Sequence, residues 1–234
     1  SEAGGINVIA ATGSWVTAED GSSADIQSIY AIRDDFSNNH SVSRYDLYEQ
    51  QFINQGLRTF TDDDGAVSTY TVSTSTEHVV DWNNNEGWFV DFDMPVFGAG
   101  SGVEFPGERA IRKLAVRGGV LTGNTVLPRD INTCDGSEGG FRIALDPVNG
   151  KRPDKVVFDL NNDGRFDGGD SVNGSSALSN IVTRVKFDTA PSDTACIGGT
   201  CITQTSDKKL VVMDENTLGE DRTGRLSWRE IHLD

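Results

Sequence analysis

The sequence predicts an all-β protein. Short apolar segments with a period of two recur through the 234 residues and are separated by turns rich in Gly, Asp and Asn. The segments follow one another at roughly one per 12 to 20 residues, a spacing typical of a sandwich, a barrel or a propeller. Only residues 46–55 have a helix-like composition, and they lack capping residues at both ends.

Each predicted strand rests on alternation of apolar and polar side chains between turn residues. The twelve segments are 6–12, 28–33, 57–60, 67–72, 87–93, 111–117, 120–127, 141–146, 155–159, 182–188, 209–214 and 226–233.

Composition narrows the class of protein further. The formal net charge is −16 and the pI is near 4.5, so binding of nucleic acid through a generally basic face is not expected. No apolar run approaches the ~20 residues of a membrane-spanning helix. The chain opens at Ser1 without an initiator Met or a signal peptide, as in a mature or excised piece. An acidic chain suits a calcium-containing extracellular medium, and acidity is equally a common solubility device.

Residues 159–170 carry the most informative pattern, with side-chain oxygens at positions 1, 3, 5, 9 and 12 of a dodecapeptide and glycine at position 6. This is the spacing of an EF-hand-type calcium loop, in which alternate residues point inward and position 7 offers its backbone carbonyl. The candidate ligands are Asp159, Asn161, Asp163, the carbonyl of Arg165, Asp167 and Asp170, with Gly164 at the turn.

The donor chemistry favours Ca²⁺. Four carboxylates this close repel one another unless a cation neutralises them, and oxygen ligands without His or Cys favour calcium over zinc or copper. The alternative is an Asp/Asn/Gly-rich surface turn that binds no ion. Position 12 is Asp170 rather than a bidentate Glu, and residues 155–158 indicate a short strand where a sensor would have a helix. The sequence therefore predicts a structural clamp rather than a calcium switch.

The chain has three cysteines, Cys134, Cys196 and Cys201. The last two flank Ile-Gly-Gly-Thr, in which the glycines permit a tight turn, so a Cys196–Cys201 disulfide and an oxidising compartment are predicted. A metal site is the alternative, although no His or further Cys lies near them in sequence. Cys134 is either free or paired with chain outside this sequence.

Other residue patterns do not favour an enzyme. Ser14 lacks the Gly-x-Ser-x-Gly elbow, and the histidines His40, His78 and His232 have no HExxH-type spacing. Residues 62–64 (Asp-Asp-Asp) predict a plain turn rather than a second cation site. The tryptophans at 15, 82, 88 and 228 favour core packing over a sugar-binding platform. We therefore expect a non-enzymatic protein.

Several phrases occur in an order that resembles one family. After the apolar segments 8–15 and 27–32 come Trp-Phe-Val-Asp (88–91), Gly-Glu-Arg (107–109), Val-Arg-Gly-Gly (116–119), Leu-Pro (127–128), Cys134, Gly-Gly (139–140), Leu-Asp-Pro-Val-Asn-Gly (145–150), the calcium loop and Gly-Arg-Leu-Ser-Trp-Arg-Glu (224–230). This order resembles the C-terminal β-propeller region of PilY/PilC-type proteins, the adhesins associated with type IV pilus tips. The resemblance is fullest over residues 80–234.

The resemblance implies that residues 1–234 are the C-terminal part of a calcium-binding, modified propeller at the pilus tip or cell surface. It implies roles in surface adhesion and in the balance of pilus extension and retraction, with loop ligands at Asp159, Asn161, Asp163, Arg165 and Asp167. Expected partners are minor pilins or other tip proteins, the rest of its own propeller, and a host or abiotic surface.

Two features depart from the family pattern. The Arg-Gly-Asp tripeptide of some members is absent. About twelve strands form about three four-stranded blades, fewer than the 4 to 8 of a closed propeller. The alternative functions are a secreted, calcium-stabilised carbohydrate-binding or hydrolase β domain, and a structural filament subunit.

Overall fold

The computed structural model describes residues 5–17, 19–36, 41–93, 105–128, 139–172 and 177–218. Within these ranges the regular structure consists of β-strands and short 3₁₀ turns, with no α-helix, so the predicted all-β class is confirmed. The strands are β1 (Ile6–Ala11), β2 (Ser28–Asp34), β3 (Tyr48–Gln50), β4 (Phe52–Thr61), β5 (Val67–Ser75), β6 (Gly87–Asp91), β7 (Ala115–Arg117), β8 (Val120–Asn124), β9 (Gly140–Leu145), β10 (Arg184–Phe187), β11 (Pro191–Ile197), β12 (Thr200–Thr205) and β13 (Leu210–Asp214).

These strands form three sheets. The first has the order β1-β2-β6-β3, antiparallel except for the β3–β6 pair. The second is a six-stranded antiparallel sheet in the order β4-β5-β10-β9-β8-β7, and the third is the antiparallel meander β11-β12-β13. None of the sheets closes on itself within the described ranges.

The six-stranded sheet lies between two apolar cores. Along β9, Ile143 belongs to the core shared with the first sheet, whereas its neighbour Ala144 belongs to the core on the opposite face. Because side chains alternate between the two faces of a strand, both faces of β8 and β9 are covered and every residue of both strands is buried. The second core also contains Leu160, which lies in the predicted calcium loop, and Val172, which lies two residues after the end of that loop.

Two buried ion pairs join the six-stranded sheet to neighbouring segments of the chain. Arg184 of β10 bonds to Glu108, which also accepts a 2.6 Å hydrogen bond from the Thr125 hydroxyl. The guanidinium lies 3.6 Å from the centre of the Phe141 ring. Arg142 of β9 bonds to Glu215 just after β13. Buried charges require such partners, because an unpaired ion in the interior loses its hydration without compensation.

Most predicted strands are present with shifted ends, and one predicted strand, 155–159, is corrected. Residues 46–55 are not helical: a 3₁₀ turn at Arg44–Asp46 is followed by β3 and the start of β4. Residues 155–159 are not a strand, since they contribute only the bridge between Phe158 and Glu215. The hairpin β11–β12 was not predicted as strands. The predicted strand 226–233 lies outside the described residues.

The predicted four-stranded blades are found in part of the structure. The first sheet has four strands, and β10-β9-β8-β7 is a four-stranded meander. The hairpin β4–β5 extends that meander to six strands because Ser73 and Val72 pair with Arg184 and Val185. The third sheet has three strands among the described residues. The number of blades stays a prediction.

Candidate calcium loop and its surroundings

The loop 159–170 is anchored where the second core meets the third sheet. The Asp159 N–H donates a 3.0 Å hydrogen bond to the carbonyl of Asp214 in β13. Phe158 and Leu160, on either side of Asp159, are both buried in the second core. The first loop position is thereby fixed by backbone bonding and by packing on both sides.

The first three candidate side chains are held by backbone N–H groups of the loop itself. Asp159 accepts from the N–H of Asp163 at 3.2 Å and from that of Gly164 at 2.8 Å. Asn161 Oδ1 accepts from the Asp163 N–H at 3.1 Å, and Asp163 Oδ1 accepts from the Arg165 N–H at 2.8 Å. Such Asx-type bonds curl the chain around its own side-chain oxygens, and they orient positions 1, 3 and 5 to the same side.

The last two candidate side chains close the loop in the same way. Asp167 accepts from the Gly169 N–H at 2.7 Å at the start of a 3₁₀ turn, Gly168–Asp170. Asp170 reaches back across the loop: its Oδ1 accepts from the N–H groups of Leu160 at 2.7 Å and Asn161 at 3.2 Å. Position 12 is therefore joined to positions 2 and 3.

Position 6 has the conformation that the motif requires. Gly164 has φ +75°, and a Cβ there would meet no atom within 4 Å, so the glycine serves backbone conformation rather than close packing. The Arg165 side chain turns outward, with Nη2 3.1 Å from Asp63 Oδ2 on the β4–β5 turn. The sequence predicts only a turn at residues 62–64, because the contact of Asp63 with Arg165 depends on the fold.

Burial sets the electrostatics of the loop. Asp170 is fully buried and Asp159 is 5% exposed. Loss of hydration raises the pKa of Asp170 to about 6, although three backbone N–H bonds act in the opposite direction. Loss of hydration also raises the pKa of Asp159. Backbone hydrogen bonds from Gly164 and Asn162 act to lower this pKa, whereas the negative charge of Asp163 raises it further. A cation that neutralised these carboxylates would offset the cost of burying them.

The donor set fits Ca²⁺ in chemistry: carboxylate and amide oxygens, no nitrogen or sulfur, and one carbonyl at position 7. The carboxylates are spread rather than converged. Among the described residues, the one trio of acidic, Cys or His side chains with ligand atoms within 4.8 Å of one another is Cys196, Cys201 and Glu215. That trio is not a metal site, because its sulfurs are bonded to each other and Glu215 is paired with Arg142.

The predicted disulfide is confirmed. Cys196 and Cys201 face each other across β11 and β12, with Cα atoms 4.0 Å apart. The turn between the strands is Gly198-Gly199, and Gly198 has φ +63°. The staple is therefore a cross-strand link in a two-residue hairpin rather than in an irregular loop.

The remaining candidates have structural partners. His78 is exposed and its Nδ1 lies 2.8 Å from the Tyr48 hydroxyl. Trp88 is fully buried, as predicted, whereas Trp15 and Trp82 are partly exposed, each beside an arginine. Asp62 closes a turn by accepting from the Ala66 N–H at 2.7 Å. Cys134, His40, His232 and Trp228 lie outside the described residues.

Comparison with known proteins finds similarity both to a curated protein and to a solved structure. The chain is 29% identical over 222 residues, 94% of its length, to a type IV pilus biogenesis factor PilY1 homolog of Xylella fastidiosa (strain Temecula1 / ATCC 700964). It superposes on the crystal structure of the Pseudomonas aeruginosa PilY1 C-terminal domain with a TM-score of 0.68 and 22% identity, over 91% of its length. It spans 16% of the first protein and 42% of the second chain. No protein-family model matches it. In sequence and in fold, the chain is similar to the C-terminal region of PilY1-type proteins.

Proposed function

We propose that this chain is a calcium-binding, non-enzymatic part of a type IV pilus-associated protein, acting in pilus biogenesis and in surface adhesion. The similarity to a PilY1 homolog along 94% of the chain supports the pilus-associated role. The observation that carries the calcium assignment is the loop geometry, in which oxygens at positions 1, 3, 5, 9 and 12 are all oriented by backbone N–H groups.

In this proposal calcium acts as a clamp on the second core. The loop begins at Asp159, bonded to β13, and leads through Asp170 to Val172, whose carbonyl accepts a 3.0 Å bond from Arg58 of β4. An ion held by the loop neutralises the two buried carboxylates and fixes the distance between these two attachment points. Loss of the ion loosens the contact between the third sheet and the β4–β5 hairpin.

The proposed location is extracellular, at the pilus tip or cell surface. The Cys196–Cys201 disulfide is stable in an oxidising compartment. Extracellular calcium modules work at affinities of about 10⁻⁴ to 10⁻³ M, which matches calcium outside the cell. The described part of the chain has no helix of the length and apolarity needed to cross a membrane. The proposed partners are minor pilins or tip proteins, the rest of the propeller and a host or abiotic surface.

The test is a calorimetric calcium titration of this chain, combined with thermal unfolding in calcium and after chelation. We expect one saturable site and a higher Tm with calcium. Asp163→Ala should weaken calcium binding at least about tenfold, since it removes a charged ligand, and should bring the Tm in calcium near that of the chelated protein. Asp64→Ala removes an exposed carboxylate outside the loop and is the matched control. A folded chain that binds no calcium would refute the assignment.

The pilus role needs a test in cells. Asp163→Ala placed in the full-length protein should reduce the number of surface pili or change their retraction in a calcium-dependent way, whereas Asp64→Ala should not. If the two variants showed equal piliation at every calcium concentration although the purified parent chain binds calcium, calcium binding by the loop would not be needed for pilus biogenesis.

A further inference from the structure

A polar cavity of about 280 Å³ lies beside the β4–β5 hairpin. It is lined by side chains that hydrogen-bond but carry no negative charge: Asn54, Gln55, Arg58, Thr74, Ser179 and Asn180, with Val172 as the apolar member. The lining thus contains one arginine and no carboxylate, although the chain has a net charge of −16.

The cavity owes its shape to a bulge in β4. The pairing between β4 and β5 shifts register between Ile53 and Gly56. Asn54, inside the bulge, has φ +56°, a left-handed conformation that Asn tolerates better than most residues. Bulges redirect side chains and recur next to functional sites. Here the bulge places Asn54 and Gln55 on the cavity wall.

Gln55 has hydrogen-bonding capacity that the protein does not use. Both its Nε2 and its Oε1 are inaccessible to solvent and have no hydrogen-bond partner in the part of the chain that the structure describes. An unpaired buried amide costs free energy, so such a group is normally satisfied by protein, water or a ligand. The amide offers a donor and an acceptor together, which is the pair that a sugar hydroxyl requires.

Arg58 supplies a positive charge without a counter-ion. Its Nε donates to the Val172 carbonyl at 3.0 Å and its Nη1 to the Leu57 carbonyl at 2.9 Å. No carboxylate of the described residues forms an ion pair with it. These two bonds fix the guanidinium at the cavity wall. A Cβ at Gly56 would lie 2.8 Å from Nη1, so the glycine leaves room for this folded-back position.

We propose that this cavity binds a carboxylate-bearing saccharide, with Arg58 facing the carboxylate, Asn54 bonding a ring hydroxyl, and the Gln55 amide, which is buried in the unliganded protein, turning toward a second hydroxyl. The charge of Arg58 selects an acid, and the neutral hydroxyls and amides of the wall select a hydroxylated ring over an apolar one. The volume suits a single sugar unit, at the lower end of the size range of ligand sites.

The test uses three probes on this chain in calcium-containing buffer: D-galacturonate, its neutral counterpart D-galactose, and acetate. Saturation-transfer NMR and calorimetry should give galacturonate binding with a Kd on the order of 1 mM, with galactose and acetate each bound at least about tenfold more weakly. Acetate that binds as tightly as galacturonate would reduce the cavity to a simple anion site. No galacturonate binding by folded protein would overturn the proposal.

Variants locate the binding. Arg58→Gln should weaken galacturonate binding roughly ten- to hundredfold, since it removes a charge-assisted bond. Arg112→Gln, at an exposed arginine outside the cavity, is the matched control. Because Arg58 also holds Val172, Asn54→Gly is the second variant: glycine accepts the positive φ, so folding is retained while the amide is lost. Binding that is unchanged in both Arg58→Gln and Asn54→Gly would place the saccharide elsewhere.

Discussion

Arg142 and Glu215 form a two-bonded ion pair that is almost completely buried, with Nε–Oε1 2.7 Å and Nη2–Oε2 2.9 Å. Arg142 lies in β9 at the centre of the six-stranded sheet, and Glu215 follows β13 at the end of the third sheet. The Asn124 side chain accepts from Arg142 at 3.3 Å and donates to the Ser192 carbonyl at 2.5 Å. The third sheet is thus attached to the rest of the molecule through a polar network rather than through apolar packing alone.

Replacing Glu215 by Gln should destabilise the protein by about 3–5 kcal/mol, because the Arg142 charge stays buried without its counter-charge. The control is Glu86→Gln, whose partner Arg33 is 3.5 Å away in a partly exposed pair, with an expected cost of about 1 kcal/mol. Urea unfolding measures both. Equal losses in the two variants would mean that the buried pair does not stabilise the junction of the sheets.

Gly150 should tolerate no side chain. Its φ is +68°, and a Cβ there would lie 2.3 Å from the indole ring of the fully buried Trp88. Gly150→Ala therefore combines backbone strain with overpacking, at an expected cost of about 2–5 kcal/mol.

Gly119→Ala is the matched control, since Gly119 has φ +76° but open space around the Cβ position. It should lose only the backbone contribution, about 1–2 kcal/mol. Unfolding followed by Trp fluorescence compares the two variants. A Gly150→Ala variant no less stable than Gly119→Ala would show that the ring moves aside without cost.

The strands predicted correctly are those in which apolar and polar side chains alternate along the sequence because one face of the strand is buried and the other is more exposed. In β2, for example, Ile29 and Ala31 point to the first core, so the period of two is visible in sequence. The register between strands and the division into sheets were not predictable, because they depend on distant partners. β3 forms only by parallel pairing with β6, about forty residues away, and this tertiary contact overrides the helix-like composition of 46–55.

Other features escaped prediction for identifiable reasons. The hairpin β11–β12 is rich in Thr and Ser, and the sequence predicts only a disulfide-linked turn there, although Gly-Gly between two β-branched segments is a hairpin signal. Glu108 and Arg184 are charged and so were not expected in a core. The ligand spacing of the loop was visible in sequence, because Asx-type bonding is local. Its attachment through Asp214 and Asp63 depends on the fold.

Removing the disulfide should have a moderate, local effect. The bond closes a short loop, since Cys196 and Cys201 are separated by five positions in sequence, so the chain-entropy contribution is only about 2 kcal/mol. We expect this loss in the Cys196→Ala/Cys201→Ala variant, measured by urea unfolding, and the same loss in the parent protein under reductant. Calcium affinity should stay unchanged, since the staple lies at the hairpin turn. A calcium Kd that changed with the staple would mean that the loop and the hairpin fold as one unit.

Acidification should stabilise the calcium-free protein through Asp170. Burial raises the pKa of this carboxyl from 3.8 to about 6, so the folded state binds a proton more tightly than the unfolded chain. The resulting stabilisation is complete below about pH 4 and is lost as the pH rises through about 6. Between pH 7.5 and 5, the unfolding free energy of calcium-free protein should therefore rise relative to Asp170→Asn, which does not titrate. In saturating calcium the proton competes with the ion, so over the same pH range acid should instead destabilise the protein. Parallel pH profiles for the two proteins without calcium would show that the buried carboxyl has no raised pKa.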